Sequence, residues 1–270
     1  MAMMTYAQAA VLAVSEAMRR DPKVVVMGED VGRGGIFGQY QGLADTWGPD
    51  RVIDTPISEA NIMGAGVGMA LMGLRPVVEM RVIDFALCAM DEIVNQAAKN
   101  RYMFGGQGRV PLVMRMPIGM WVNSAAQHSQ SLESWFTHLP GVVVLCPATP
   151  QDNHDMLSWA LQAEDPVVYL ENKELWTLKG PVESGSMTRP DQAHLMRRGE
   201  PGGDIYFLET GEFDIVDTRS EPETILRICQ PGEVVGEMSF IDESPRSADV
   251  RARSDGIVLR WGRTDVRNLL

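Results

Sequence analysis

RVIDTPISEANIMGAGVGMALMGLRPVVEM, residues 51–80, decides the fold. A β-branched run, RVID, hands over at Thr55-Pro56 to a stretch of helical period from about Ser58 to Met72, and Gly73 returns the chain to a second apolar run, RPVVEM. Runs this apolar, without polar alternation, belong to strands buried on both faces, and a helix between two of them is the crossover that a parallel pair requires. Working outward in both directions, the same grammar repeats. TYAQAAVLAVSEAMRR predicts a helix capped by Thr5 and stopped before Asp21-Pro22, and VVVMG, Val24 to Gly28, predicts a buried strand. On the other side come a helix from about Cys88 to Tyr102, the strand PLVMRM, a short helix near Leu132, the strand VVVLCP, a helix from about Gln151 to Ala163 and the strand PVVYLE. Residues 1–180 therefore read as α/β, a doubly wound and mostly parallel sheet.

After Lys179 the grammar changes. GPVESGSMTRPDQ is rich in Gly, Pro and Ser, the composition of a linker, placed here at 181–192. Residues 193–270 then carry short alternating runs, DIYFLETG, EFDIVDT, ETILRI and GIVLRW, separated by Pro201-Gly202-Gly203, Thr210-Gly211 and Pro231-Gly232, which predict hairpins of a small all-β roll. All four lysines and 15 of the 18 methionines fall at or before Lys179, so composition shifts at the same place.

Charge and composition exclude several classes of function. The 36 acidic residues outnumber the 24 basic ones for a net charge of −12, with no basic block, which leaves no electrostatic footprint for nucleic acid or an anionic membrane. No apolar run reaches the length of a membrane span and no basic-then-apolar leader opens the sequence, so a cytoplasmic location is expected. Cys88, Cys146 and Cys229 are widely spaced, as core thiols of a reducing compartment would be, and the histidines at 128, 138, 154 and 194 have no ligand spacing. The glycines of GAGVG, Gly64 to Gly68, have the wrong interval for a dinucleotide fingerprint and lie inside a helix, where close packing is their expected role.

Three features carry chemical potential. Glu59 falls in the first turn of an otherwise apolar helix, where the macrodipole favours a carboxylate. Glu29-Asp30 follows the first buried strand directly, where an α/β sheet places its ligand crevice. His128 sits in SAAQHSQS, a small polar segment with no hydrophobic period to bury it.

In order and spacing, GEDV, RVIDTPISE, the glycine-rich helix, GLRPVVE, AAQHSQS, LPGVVVLCPATPQD and DPVVYLE resemble the beta subunit of the thiamine-dependent 2-oxo acid dehydrogenases of the pyruvate dehydrogenase type, over roughly residues 4–180. The resemblance implies a pyrimidine-binding, transketolase-like domain holding half of a thiamine diphosphate site. It implies oxidative decarboxylation of a small 2-oxo acid with acyl transfer to the lipoyl group of an acyltransferase. By position it makes Glu59 the carboxyl that shares a proton with the aminopyrimidine, a task suited to a partly desolvated acid because burial favours the protonated form. It sets Phe85 against the pyrimidine face, Glu29 in the adjoining acidic network and His128 beside the substrate or incoming lipoyl group. It also implies a K⁺ held by backbone carbonyls near Leu112, Ala160, Ala163 and Asp165. No GDG followed by paired asparagines is present, so an alpha subunit must supply the Mg²⁺-diphosphate half in an alpha2beta2 heterotetramer. The C-terminal α/β domain usual in that family is missing.

In its place, RRGEPGGDIYFLETGEFDIV and ICQPGEVVGEMSFIDESPRSADVRA resemble cyclic-nucleotide-binding domains, over roughly residues 189–270 and without the usual leading and closing helices. The resemblance implies that Gly236, Glu237, Arg246 and Ser247 form a cassette for cAMP or cGMP: guanidinium and hydroxyl on the cyclic phosphate, carboxylate on the ribose. Three alternatives stay open, one of them that the junction near residue 180 is an artificial or accidental fusion whose second half has no physiological partner. The cassette is either a working sensor or a degenerate roll kept for folding, and the whole chain is either an enzyme subunit or a cyclic-nucleotide-binding regulatory protein on a non-catalytic thiamine-type scaffold.

Overall fold

The computed structural model describes residues 1–120, 123–187, 194–219, 222–254 and 257–262, and the chain separates into two compact units, Met1–Thr188 and Arg189–Leu270. In the first unit β1 (Ala2–Thr5) leads into α1 (Tyr6–Arg20), whose N-cap Thr5 accepts from the Gln8 backbone while the Gln8 side chain reaches back, a capping box that satisfies two orphan donors. There follow β2 (Val24–Gly28), α2 (Leu43–Trp47), β3 (Val52–Asp54), α3 (Glu59–Leu71), β4 (Arg75–Glu79) and α4 (Asn100–Met103). The unit is completed by β5 (Val113–Ile118), α5 (Glu133–Thr137), β6 (Val143–Leu145), α6 (Pro150–Ala160), β7 (Val167–Asn172) and β8 (Lys179–Val182).

Six of these strands form one all-parallel sheet in the order β3-β2-β4-β5-β7-β6. Alternate residues feed two cores. Met27, Val78, Met114 and Val168 pack with α3 on one face, and Val26, Val77, Val113 and Val167 pack with α1 and α6 on the other. Both faces are covered, which is why the strands read as continuous apolar runs.

The structure departs from the sequence reading at four places. The helix expected from Cys88 to Tyr102 is divided among a 3₁₀ segment (Ile83–Ala89), a π-helical turn (Glu92–Ala97) and α4, which lets Ile83, Ala86, Ala89, Ile93 and Ala97 all reach one core despite their uneven spacing. β1 was not foreseen; it pairs antiparallel with β8, Ala2 opposite Val182, so the stretch 181–192 read as linker begins inside a strand, and its residues 188–192 lie outside the described ones. Of the three cysteines only Cys229 is buried, and Cys88 and Cys146 are exposed. Gly66 alone among the GAGVG glycines is a tight contact: a Cβ there would lie 2.6 Å from Val78 Cγ2, whereas Gly68 faces open space.

The second unit contains two antiparallel sheets. β9 (His194–Met196), β11 (Phe213–Asp217), β12 (Thr224–Cys229) and β14 (Asp249–Ala252) are ordered β12-β11-β14-β9; β10 (Asp204–Thr210), β13 (Val234–Val235) and β15 (Ile257–Gly262) are ordered β13-β10-β15. Thr210-Gly211 is thus no hairpin, because the chain changes sheets there, while β11 and β12 do pair as expected. Met196, Leu208, Phe213, Cys229, Val235 and Val250 fill the space between, and α7 (Glu237–Asp242) follows β13.

Candidate functional site

From β2 the parallel sheet grows to β3 on one side and to β4 on the other, so the strand order reverses there and the loops leaving the C-terminal ends of these strands part to form a crevice. Glu29 and Asp30 follow β2, Glu59 opens α3 after β3, and Arg81 follows β4. These loops meet closely. A Cβ on Gly28 would lie 2.7 Å from Glu79 Cβ, the Gly32 amide donates to Asp54 Oδ1 at 2.8 Å, and the Thr55 amide donates to the Gly28 carbonyl at 3.1 Å. Arg81 pairs with Asp30 and lies 4.0 Å from Glu29. Burial raises the Glu29 pKa above the ordinary glutamate value, Arg81 opposes the rise, and the charges of Glu59 and Asp30 add to it. Glu29 and Glu59 therefore share one field. The Thr55 hydroxyl is buried beside them with no partner among the described residues.

Backbone strain concentrates at the same end of the sheet. Among the described residues five non-glycines have positive φ, and four of these, Asp30, Arg81, Asn123 and Ala125, lie in the loops after β2, β4 and β5. Conformations of this kind persist where surrounding structure over-determines them, and they mark binding sites more often than scaffolding.

The loops after β4 and β5 bring Phe85 and His128 together. Their ring centroids are 5.2 Å apart and nearly perpendicular, an edge-to-face contact. His128 ends a single 3₁₀ turn (Ala126–His128) that buries none of its own residues. The segment is held from outside: Lys173 Nζ donates to the His128 carbonyl at 2.6 Å, Gln130 Nε2 donates to Asp84 Oδ1 at 2.8 Å, and the Gly119 amide donates to the Gln130 carbonyl at 3.1 Å. Lys173, Asp84 and Arg81 were missed from sequence. Arg81 directly follows the run PVVEM and Asp84 interrupts the run VIDFAL, which are the signals that could have found them, whereas Lys173 sits among the polar residues Asn172 and Glu174 and carries no such signal.

Beneath the crevice lies a buried polar network that sequence reasoning also missed. Arg115 of β5 and Glu171 of β7 form a bidentate pair with no solvent exposure, and Asn153 Nδ2 donates to the same carboxylate at 3.1 Å. Glu79, the register partner of Arg115 on β4, accepts from Tyr40 Oη at 2.6 Å and Gln39 Nε2 at 3.3 Å. Two carboxylates thus face one guanidinium. Burial pushes the Glu79 pKa up to about 7, with Arg115 pulling it down and Glu171 adding to the rise. Through Tyr40 and Gln39 this network anchors the loop that begins at Glu29.

At the four positions expected to ligate K⁺ through backbone carbonyls, three carbonyls each accept one hydrogen bond and the fourth residue pairs through its side chain. The Leu112 carbonyl accepts from Val167 N at 2.8 Å, the Ala160 carbonyl from Ala163 N at 3.2 Å and the Ala163 carbonyl from Arg75 Nη1 at 2.9 Å, while the Asp165 carboxylate accepts from Arg101 Nη1 at 2.7 Å. An arginine already presents positive charge to the Ala163 carbonyl.

In the second unit Gly236 is the left-handed N-cap of α7, and Glu237, Arg246 and Ser247 line one cleft of about 110 Å³ with it. Arg246 turns inward. Only 6% exposed, it donates through Nη1 to the Gly236 carbonyl at 2.9 Å and through Nη2 to the Asp204 carbonyl at 2.6 Å. The structure gathers the four cassette residues in one cleft, with two of the five guanidinium N–H groups donated to the backbone. Among the described residues no cluster of His, Cys, Asp and Glu could hold a metal ion, and no helix is long and apolar enough to cross a membrane.

A doubly wound parallel sheet with carboxylates at its switch point and an aromatic edge contact on the neighbouring loops defines a cofactor-binding α/β domain. The model for the transketolase pyrimidine-binding domain matches residues 2–178, and the chain belongs to that family. A cyclic nucleotide-binding domain model matches residues 188–270. The chain is 38% identical over 263 residues to the beta subunit of acetoin:2,6-dichlorophenolindophenol oxidoreductase of Cupriavidus necator, an alignment covering 87% of this chain and 78% of that one. It is 46% identical over 182 residues to the mitochondrial pyruvate dehydrogenase E1 component subunit beta-1 of Oryza sativa subsp. japonica, covering 67% of this chain and 49% of the relative. It is 41% identical over 203 residues to the 2-oxoisovalerate dehydrogenase subunit beta of Bacillus subtilis, covering 74% and 62%. The chain therefore spans about half to four-fifths of the length of these relatives. A solved structure described as a split gene transketolase, inactive beta4 tetramer, shares the fold at a TM-score of 0.56 and 20% identity, covering 73% of this chain and 60% of that one.

Proposed function

We propose that the chain is the beta half of a thiamine diphosphate-dependent 2-oxo acid dehydrogenase decarboxylase, working with an alpha subunit and delivering the acyl group to a lipoyl-bearing acyltransferase. One observation carries the reading: Glu29, Arg81 and Glu59 converge at the switch point of the sheet, and the Phe85–His128 contact lies on the loops next to it. The residues present fit the pyrimidine half of the cofactor. They comprise a carboxyl in the first turn of α3, a second acid whose pKa burial raises, a half-buried phenyl ring and the orphaned Thr55 hydroxyl. When bound, thiamine diphosphate supplies the nucleophilic carbon and the electron sink for decarboxylation. Glu59 would hold a proton toward the pyrimidine ring nitrogen, Glu29 and Arg81 would set the field around that carboxyl, Phe85 would orient the ring and His128 would offer its imidazole to the substrate side. The partner subunit supplies the diphosphate and Mg²⁺ contacts. A monovalent cation held by the backbone carbonyls near Leu112, Ala160, Ala163 and Asp165 belongs to the same proposal, and it would share the Ala163 carbonyl with Arg75 Nη1.

For the second unit the committed guanidinium and the small cleft support a cassette that serves folding. Two of the five guanidinium N–H groups of Arg246 are held by the Gly236 and Asp204 carbonyls, so a cyclic phosphate would meet the guanidinium only through the donors left over, which weakens the reading of the chain as a cyclic-nucleotide sensor on an inert scaffold.

The test is co-expression with an alpha subunit, followed by thiamine-dependent reduction of dichlorophenolindophenol with pyruvate, branched-chain 2-oxo acids and acetoin. Wild-type complex should turn over at least one of them, and Glu59→Gln, nearly isosteric, should lower kcat by about 100-fold or more while the complex still assembles. An assembled complex with no thiamine-dependent turnover, or full activity in Glu59→Gln, would overturn the assignment.

A further inference from the structure

The His128 segment is a short turn closed by a long backbone bond, His128 N to the Ala125 carbonyl at 3.4 Å. Its single 3₁₀ turn has no side-chain cap and buries no residue, and Asn123 and Ala125 just before it have φ of 58° and 56°. The segment follows β5, and the two strands that flank β5 in the sheet each deliver one charged group to it. Lys173, directly after β7, donates to the carbonyl of His128 itself; Asp84, in the loop after β4, accepts from Gln130 two residues on. Phe85, adjacent to Asp84, meets the imidazole edge-on, so the same loop sets both the contact and the strut.

We propose that Lys173 and Asp84 are positioning residues for His128, a buried ammonium and a buried carboxylate that clamp residues 128–130 from opposite neighbouring strands and set the imidazole against Phe85. Neither group is placed where a stability role alone would put it. Lys173 is 7% exposed and Asp84 5%, and a buried ion is costly unless paired at short range. Asp84 is a charge that acts on Lys173, the ammonium donates to the His128 carbonyl, and Asp84 Oδ2 has no partner among the described residues. An apolar pair would fill the space at lower cost. What these charges contribute is direction, since a charge-assisted bond to one carbonyl and one carboxamide fixes a loop that has no core of its own.

The catalytic part of this inference rests on the function proposed above, but the positioning part can be read without activity. Full-length chain labelled at histidine gives imidazole signals by NMR, and the His128 signal is assigned by its loss in His128→Gln. In Lys173→Met that signal should lose its ring-current displacement from Phe85 and broaden, with the His138 and His154 signals unmoved, and Lys173→Arg should restore most of it. Asp84→Asn, nearly isosteric, should move the same signal less. In the reconstituted complex Lys173→Met should lower kcat about tenfold or more with little change in KM, as a misplaced group does. If Lys173→Met disturbs every histidine, Asp84→Asn alone decides: an unmoved His128 signal there overturns the proposal, as does an unmoved signal in Lys173→Met. A displaced signal in a complex with no thiamine-dependent turnover would leave the clamp standing and remove the proposed reaction instead.

Discussion

Replacing Glu79 by Gln should change how the first unit's stability depends on pH more than it changes stability at any one pH. Glu79 is fully enclosed between Tyr40, Gln39 and Arg115, with Glu171 on the far side of the guanidinium, and its pKa stands at about 7 against an ordinary value of 4.5. From about pH 4.5 to pH 7 the folded chain keeps a proton that the unfolded chain releases. The stabilisation from this group is therefore complete below pH 4.5 and is lost as pH rises through 7. The shift of two to three pH units corresponds to about 3 kcal/mol over that window. Glutamine has no proton to lose, so its contribution is flat. It offers one oxygen where Tyr40 and Gln39 both donate, a fixed cost of about 1 kcal/mol. Five of the six tryptophans, at 47, 121, 135, 159 and 176, belong to the first unit, so urea unfolding followed by tryptophan fluorescence reports on it. Between pH 4.5 and pH 8 the stability difference should move toward the variant by about 2–3 kcal/mol, and other titrating groups such as His154 cancel in the comparison. Wild-type and variant curves that stay parallel to within about 0.5 kcal/mol would refute the reasoning.

Two further outcomes follow from local geometry. Gly66→Ala should destabilise the first unit by about 1–2 kcal/mol, because the new Cβ meets Val78 and Leu112 inside the core, whereas Gly68→Ala on the open face of the same helix should stabilise it by up to about 1 kcal/mol; thermal melts of the pair check the opposite signs. Arg246→Ala should lower the melting temperature of the second unit, since two buried carbonyls lose a charged donor at a cost of about 2–3 kcal/mol, while millimolar cAMP or cGMP should leave the wild-type melt unshifted; a nucleotide-dependent rise would restore the sensor reading.

The parallel sheet was legible because strands buried on both faces leave an unbroken apolar signature, and the helices because their caps are written locally, as at Thr5 and Thr149. Pairings between distant segments have no such signature. β1 and β8 are joined by register alone, and nothing in MAMMT announces its partner. The candidate site divides in the same way. Glu29, Glu59, Phe85 and His128 could be named from motifs, whereas Glu79, Arg115 and Glu171 are single ions inside three apolar runs, and only the sheet order shows that those runs are neighbours. The interrupted helix between Ile83 and Met103 was misread because its apolar spacing satisfies a helix of mixed pitch.

The pairing of β1 with β8 has a further consequence for how this architecture can be rearranged. With Ala2 standing directly opposite Val182, the first unit is close to a ring that happens to be cut there. A short turn could join the two strands as a hairpin and new termini could be opened elsewhere, at the exposed Gly105-Gly106 turn for example, without breaking any strand of the six-stranded sheet. A fold whose ends meet in this manner is easily circularly permuted, and it accepts a second unit after its last strand without reordering anything in its own sheet.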